Sequence, residues 1–315
     1  MKKLLVYSLA ICLALLASCS KDSSSNGNNG GGGSQTTGKR ISEIYYSYSE
    51  QDYISYDDGL TWALEYSSSS DNSLSEVWHW DNDNLLSIDY YNQNQVNGTD
   101  NLIYNNAGMV SKIVYFYEGE ESESVEFSYN GTAISQIRYF YHGIMDAAYD
   151  VSYANNKPVR ITCTYMSEDK TMSKHGKSFI NNMFKTDEIS SRDGNLPYIV
   201  LTWTGNNLTK WERFNSDNEF YCTFTYDNKN NPYYGGSSLT AYLFAWGSPE
   251  DISQNNVLSE TYYENGELST NYYTYNYFEN YPMQVHEAYE YMYQYSDYWS
   301  KYIYEYTHYY SYLTD

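Results

Sequence analysis

The chain is poor in the residue patterns that mark a catalytic centre or a nucleic-acid-binding surface. Its 5 histidines are never paired at ligand spacing and its 4 cysteines form no Cys-x-x-Cys motif, so no metal site is predicted. A Gly-x-Ser-x-Gly nucleophile motif is absent as well. Only 18 basic residues stand against 40 acidic ones, and a net charge of −22 repels nucleic-acid phosphates. We therefore expect no enzymatic activity, no cofactor and no nucleic-acid partner.

Long apolar runs are scarce too, and the one that exists lies near the N-terminus. Residues 4–16 are apolar and follow Lys2 and Lys3, but a helix needs about 20 such residues to span a bilayer. The run leads into Leu-Ala-Ser-Cys at residues 16–19, which resembles the lipobox of bacterial lipoproteins. In those proteins the signal peptide is removed before the cysteine, which then carries acyl chains. The resemblance implies a signal peptide at residues 1–18 and a lipidated Cys19.

The residues around Cys19 predict how the protein is held at a membrane. Several acyl chains on one residue anchor a protein stably, because each buried methylene contributes about 0.8 kcal/mol. In lipoproteins an Asp directly after the cysteine favours retention at the inner membrane. Ser20 stands there instead, which favours the outer membrane, on either its periplasmic face or the cell surface. Residues 19–39 are rich in Ser, Asn and Gly and predict a flexible linker with a reach of roughly 25 Å.

Residues 40–315 form one tyrosine-rich domain that carries an internal repeat with a period near 24. Each unit has an aromatic residue, then a polar turn, then an apolar pair, which fits one β-hairpin. Pairs such as Asn97-Gly98, Asn130-Gly131 and Asn265-Gly266 predict tight hairpin turns, since a type I′ turn needs two residues with positive φ. The aromatic positions are Trp80, Tyr104, Tyr129, Tyr153, Trp203 and Tyr226, with a degraded unit at 178–189 and a last unit at 274–285.

Polar and apolar residues alternate within the predicted strands, which is typical of a sheet with one buried face. Roughly 16–20 strands are expected, more than an open sheet usually holds, and closure would remove the exposed edges. We predict an all-β fold, an antiparallel up-and-down meander of hairpin repeats that closes into a large barrel or a partly closed barrel-like sheet. Residues 232–256 interrupt the meander. We expect them to fold over an opening, with residues 239–246 as a short helix or a strand.

Three features together resemble a known family. They are the hairpin repeat, the run Tyr-Asp-Asn-Lys-Asn-Asn-Pro at 226–232, and the lipobox followed by a linker. The family is an uncharacterised lipoprotein domain family of Gram-negative gut-type bacteria, described as having a porin-like fold. The resemblance covers most of residues 40–315. It implies a barrel and brings with it no activity, ligand or site residue.

Two cysteines remain after signal removal and lipidation. Cys163 and Cys222 lie on the apolar faces of predicted strands that are several hairpins apart. We expect both to be small buried core residues. A disulfide between them would require their Cα atoms to lie within about 7 Å.

Aromatic residues are the remaining candidates for a ligand site. Exposed rings can stack on sugar rings, whereas buried rings belong to the core. Alternate tyrosines in residues 288–310 predict a terminal hairpin whose hydroxyl groups face water or a lumen, because a buried hydroxyl needs a partner. The candidate ligand-stacking residues are Trp78, Trp80, Trp203, Trp211, Trp299, Tyr291 and Tyr304.

Three functions are compatible with these patterns. The first is a lipid-anchored outer-membrane protein that binds a glycan or another extracellular ligand without catalysis. The second is a structural or accessory subunit that has an outer-membrane protein as its partner. The third is a membrane-inserted porin-like barrel, which the predicted lipid anchor and the scarcity of leucine and valine on the strand faces disfavour.

Overall fold

The computed structural model describes residues 39–167, 197–214, 220–264, 267–295 and 297–313. The predicted signal peptide, Cys19, the degraded repeat unit at 178–189 and the Asn265-Gly266 turn lie outside these ranges. The strands are β1 (Ile41–Ser55), β2 (Ala63–Asp81), β3 (Asn84–Asn92), β4 (Gln95–Tyr104), β5 (Val110–Tyr117), β6 (Glu120–Asn130), β7 (Ala133–Tyr141), β8 (Ile144–Ala154), β9 (Lys157–Met166), β10 (Tyr198–Thr204), β11 (Asn207–Phe214), β12 (Phe220–Asn230), β13 (Asn255–Glu264), β14 (Glu267–Phe278), β15 (Tyr281–Gln294) and β16 (Trp299–Tyr312).

These 16 strands form a closed antiparallel up-and-down barrel. Each strand pairs with its neighbours in sequence, and β1 pairs with β16 from Ile41 opposite Tyr312 to Ser55 opposite Trp299. The predicted fold class is therefore confirmed, with the closed barrel rather than the partly closed sheet. Closure leaves no strand edge exposed for pairing with another chain.

The two ends of the barrel differ. One end carries the short turns between β2 and β3, β6 and β7, and β8 and β9, and it also holds residues 231–254, which join β12 to β13. Residues 231–254, called the plug below, contain helix α1 (Ser237–Trp246) and a 3₁₀ helix (Pro249–Ile252). The plug lies inside the barrel, because Leu243, Phe244 and Ala245 of α1 are buried within the same core cluster as the inward strand residues. Of the two forms expected for residues 239–246 the structure has the helix, and the segment lies inside the barrel and not over its opening.

The aromatic residue of each repeat unit has a structural role at the plugged end. The Tyr104 hydroxyl donates to the carbonyl oxygen of Leu85 at 2.6 Å, and the Tyr129 hydroxyl donates to that of Val110 at 2.6 Å. Each acceptor lies just after the preceding turn at the plugged end, so the bond links one hairpin to the one before it. Equivalent bonds join Trp80 to Ile41, Trp203 to Pro158, Tyr226 to Leu208, Tyr275 to Val257 and Tyr312 to Pro282.

The turn prediction at Asn97-Gly98 is wrong. Both residues lie within β4, and the turn falls at Gln93-Asn94, whose φ angles of 51° and 62° fit a type I′ turn. Gly98 is needed for another reason: a Cβ atom there would lie 2.6 Å from the hydroxyl oxygen of Tyr115, whose ring covers the strand. At Asn130-Gly131 only Gly131 has a positive φ, 63°, because Asn130 ends strand β6.

Buried apolar residues alternate with more exposed polar residues along β9. In β9 the inward residues Ile161 and Cys163 are buried, whereas Arg160 and Thr164 point outward. Ion pairs lie on the outer face, among them Arg138 with Glu126 at 3.1 Å.

Cys163 and Cys222 are both buried and free, as expected from their strand faces. Within the described parts of the chain, none of the helices has the length and apolarity needed to span a bilayer.

Candidate functional site: two cavities separated by the plug

The plug is tied to the barrel wall by buried hydrogen bonds. The Tyr139 hydroxyl on β7 donates to the Phe244 carbonyl oxygen at 2.7 Å. The hydroxyls of Tyr242 in α1 and Tyr90 on β3 lie 3.0 Å apart. These contacts hold α1 against one half of the wall, formed by the strands near β3 and β5, and leave space on either side of the plug.

Two inward carboxyl groups, one buried and one half-buried, lie beside this attachment. Asp100 is 1% exposed and accepts a hydrogen bond from the Tyr90 hydroxyl at 2.6 Å. Glu76 accepts one from the Trp78 indole at 2.8 Å. Burial raises the pKa of each carboxyl to about 7, because removal from water penalises the charged form. Neither group was predicted from the sequence, although each is a polar residue on the inward-facing side of an alternating strand.

The first cavity, called the mouth cavity, opens at the plugged end and has a volume of about 690 Å³. Trp80 and Trp203 both line it. Their indole N–H groups donate to the carbonyl oxygens of Ile41 and Pro158, each at 2.7 Å, so the edge of each ring is held by the wall. The other aromatic residues that line it are Tyr153, Tyr233, Tyr234, Phe244 and Tyr281.

The rim of the mouth cavity is rich in amide side chains. Asn155 and Asn156 form the turn between β8 and β9, with φ angles of 51° and 61°. Asn206 stands on the next plugged-end turn of the described wall and donates to the Gln254 side chain at 2.8 Å. Amides can both donate and accept hydrogen bonds, so this rim suits a ligand with hydroxyl groups. Lys39, Arg40 and Lys157 add positive charge at the same rim.

The second cavity, called the lumen cavity, lies on the other side of the plug and has a volume of about 630 Å³. Asn231, Pro232 and Tyr233 line both cavities and form part of the partition. Strands β13 to β16 contribute most of its wall through inward tyrosines. The aromatic residues that line it, besides Tyr233, are Trp211, Phe220, Tyr262, Tyr273, Tyr275, Tyr289, Tyr306 and Tyr310.

Carboxyl groups also line the lumen cavity. Glu260 is 4% exposed and accepts hydrogen bonds from the Tyr273 hydroxyl at 2.8 Å and the Asn271 amide at 2.7 Å. Burial, and after it the charge of the neighbouring Glu260, raises the pKa of Glu287 to about 7. Burial likewise raises the pKa of Asp251 to about 6. Burial and the nearby Glu260 and Asp251 hold the pKa of Glu250 well above its ordinary value.

The tyrosine-rich segment at 288–310 forms the hairpin of β15 and β16, and its alternate tyrosines face the lumen. Tyr289 and Tyr291 stack with ring centroids 6.3 Å apart, and Tyr291 meets Tyr304 across the strands at 6.2 Å. Exposure falls from 40% at Tyr293, near the open end, to 6% at Tyr310, near the plug. The row of rings therefore leads from the open end to the lumen cavity.

The structure distributes the predicted stacking residues over several places. Trp80 and Trp203 come together in the mouth cavity, and Trp211 lines the lumen cavity although it is only 3% exposed. Trp78 is also 3% exposed and packs in the core against Trp80 and Tyr242. Tyr291 and Tyr304 lie on the lumen wall. Trp299 lies at the open end, where β16 begins. The predicted lipidation site, Cys19, is outside the described residues.

Comparisons with known proteins give weak similarities. No family model and no curated protein matches the chain. Among solved structures, a porin-like protein from Bacteroides uniformis has a TM-score of 0.47 at 12% identity, covering 88% of this chain and 99% of that one. A porin-like protein from Bacteroides vulgatus has a TM-score of 0.32 at 10% identity, covering 88% and 100%. The fold assignment rests on the strand pairing described above, and membership of the resembled lipoprotein family stays a prediction.

Proposed function

We propose that this protein is a lipid-anchored outer-membrane protein that binds a glycan in the mouth cavity without catalysis. Cys19 carries the lipid, residues 19–39 act as the linker, and the barrel stands in water beside the membrane. The observation that supports glycan binding most strongly is that Trp80 and Trp203 line the same cavity, which has asparagine side chains on its rim.

The chemistry of the mouth cavity fits a sugar. Aromatic rings offer flat apolar faces to the C–H side of a sugar ring, and amides bond its hydroxyl groups. The rings are preorganised, because both indole N–H groups are already bonded to backbone carbonyls. A ligand therefore does not have to order these side chains, which lowers the cost of binding. The volume of about 690 Å³ lies within the usual range for small-ligand sites.

The outer face of the barrel supports a position in water rather than in lipid. A barrel inserted in a membrane presents an apolar band outward and polar residues inward. In this barrel the hydrophobic core cluster lies inside, among the inward strand residues and the plug. Its outer face carries the ion pairs Arg138–Glu126 and Lys210–Glu212. Charged side chains in the middle of a bilayer would cost about 2–4 kcal/mol each for Arg or Lys.

Glycan binding can be tested by titrating the full-length protein with a panel of neutral and acidic oligosaccharides. A polyoxyethylene detergent should be used, since a maltoside would itself offer a sugar. We expect at least one oligosaccharide to change the tryptophan emission. Trp80→Leu and Trp203→Leu should each weaken its binding at least ten-fold, because each removes one stacking face.

Two further variants make the test specific to the mouth cavity. Asn155→Gly keeps the positive φ of the turn and removes only the amide, so it should weaken binding with the fold intact. Trp299→Leu alters a tryptophan at the opposite end of the barrel and should leave binding unchanged. A panel without any response, or a loss as large in Trp299→Leu as in Trp80→Leu, would refute the proposal.

A further inference from the structure

The lumen cavity differs from the mouth cavity in the charge of its wall. Glu250 and Asp251 of the 3₁₀ helix, Glu260 and Glu264 of β13, and Glu287 of β15 all line it. Among the described residues that line it, none is a lysine or an arginine. Its histidine, His308 on β16, has a pKa lowered by burial and is therefore neutral at physiological pH. The ionisable carboxyl groups of this wall therefore have no basic side chain among them in the described lining.

The aromatic part of the wall is an independent feature of the same cavity. Tyr289 and Tyr306 meet edge to face with centroids 5.8 Å apart, and Tyr46 stacks on Tyr306 at 6.0 Å. Tyr262, Tyr273 and Tyr275 continue the wall on β13 and β14. The electron-rich faces of such rings attract cations, most strongly where water is excluded.

We propose that the lumen cavity binds a small organic cation, an amine or a quaternary ammonium compound that enters from the open end of the barrel. Rings and carboxylates are the two groups that recognise such a cation, and here both line one cavity. A neutral sugar carries no charge to favour the ionised form of these carboxyl groups, whereas a cation does. The cavity of about 630 Å³ is large enough for a ligand of this class.

The carboxyl groups couple binding to pH. Glu287 and Asp251 have pKa values raised to about 7 and about 6, so at pH 5 both are largely protonated in the empty cavity. A cation favours their charged forms and must displace these protons. Binding should therefore be tighter at pH 8 than at pH 5. The titratable groups that face the cavity are Glu250, Asp251, Glu260, Glu264, Glu287, His308 and the lining tyrosines, and Arg213 lies beside it, over the Phe220 ring at 5.2 Å.

The test compares choline with 3,3-dimethylbutan-1-ol, in which a carbon replaces the charged nitrogen at nearly the same shape. The full-length protein in polyoxyethylene detergent is titrated by calorimetry. We expect choline to bind in the millimolar range or tighter and the neutral alcohol at least ten-fold more weakly. Affinity for choline should rise several-fold from pH 5 to pH 8.

Variants assign the site. Glu287→Gln imitates the protonated carboxyl, so it should fold normally and weaken choline binding several-fold at pH 8. Glu126→Gln, on the outer face, is the matched control and should leave it unchanged. Equal binding of the neutral alcohol, displacement of choline by millimolar calcium, or no heat with choline at pH 8 would each overturn the proposal. Because the mouth cavity is a separate site, none of these outcomes decides the glycan test.

Discussion

The Tyr129 hydroxyl donates a hydrogen bond to the Val110 carbonyl oxygen at 2.6 Å, and this contact joins two hairpins that are adjacent in sequence. Val110 is fully buried, so its carbonyl has no water to replace the tyrosine. We expect Tyr129→Phe to lower the free energy of unfolding by about 1 kcal/mol, since the ring remains and only the hydrogen bond is lost. Urea denaturation followed by circular dichroism measures this. Tyr272→Phe, at a tyrosine that is 50% exposed on β14, should cost much less; equal losses would contradict the role given to the repeat aromatics.

Gly98 and Tyr115 form a second pair that can be tested. A Cβ atom at residue 98 would approach the Tyr115 ring to 2.6–3.0 Å. Gly98→Ala should therefore destabilise the barrel by about 1–3 kcal/mol through overpacking. In a Tyr115→Ala background the same substitution should cost little, because the ring is gone. A double-mutant cycle measures this coupling, and additive effects would show that the ring is not the cause.

The inward carboxyls Glu76 and Asp100 predict how stability depends on pH. Their pKa values are raised to about 7 in the folded protein, whereas the unfolded values are about 4. Between those values the folded state binds more protons than the unfolded state, so stability falls as pH rises. We expect the free energy of unfolding to be a few kcal/mol lower at about pH 8 than at about pH 5, given about 1.4 kcal/mol per pKa unit.

Asp100→Asn should reduce this pH dependence, because the amide cannot ionise and can still accept the hydrogen bond from Tyr90. Asp150→Asn is the matched control, since Asp150 is exposed on the outer face, where it accepts a hydrogen bond from Gln136 at 3.1 Å. A stability that rises between pH 5 and pH 8, or an Asp100→Asn variant with the full pH dependence, would show that these carboxyls are charged in the folded state.

The two thiols in the barrel should be inert while the protein is folded. Burial raises the pKa of Cys163 to about 11, and it raises that of Cys222 further. Alkylation requires the thiolate, which is scarce at pH 8 under these conditions and is also out of reach of the reagent. We expect iodoacetamide to modify neither cysteine in the native mature protein and both in urea, as measured by mass spectrometry. Modification of Cys222 without unfolding would mean that the lumen opens at that strand.

The alternation of polar and apolar residues and the hairpin repeat predicted the barrel, because both patterns depend only on residues that are close together in the sequence. Val159, Ile161 and Cys163 share one face in any strand, and a period near 24 suits one hairpin whatever the rest of the chain does. The plug was ambiguous, since residues 239–246 are apolar on nearly every side and fit a buried helix or a strand equally well. Its location inside the barrel depends on partners far away in the sequence, such as Tyr90 and Tyr139.

The two cavities could be predicted only in part. Trp80 and Trp203 were candidates because they have large flat rings. They line one cavity because the barrel closes, and their separation of 123 positions in the sequence does not indicate this. Asn97-Gly98 was assigned to a turn because Asn-Gly is common in tight hairpin turns. In the structure both residues lie within a strand, and the glycine leaves room for the Tyr115 ring. The carboxyl wall of the lumen cavity was missed because 40 acidic residues offer many combinations.

The central claim is that the barrel stands in water, held by a lipid, and presents its cavities as binding sites. The most direct measurement is the state of residues 39–315, without the signal peptide and Cys19, in detergent-free buffer. We predict a soluble monomer by light scattering, with the β-sheet circular dichroism spectrum of the barrel and no insertion into phospholipid vesicles. A chain that aggregates without detergent, and that renders vesicles permeable when added in detergent, would contradict the account.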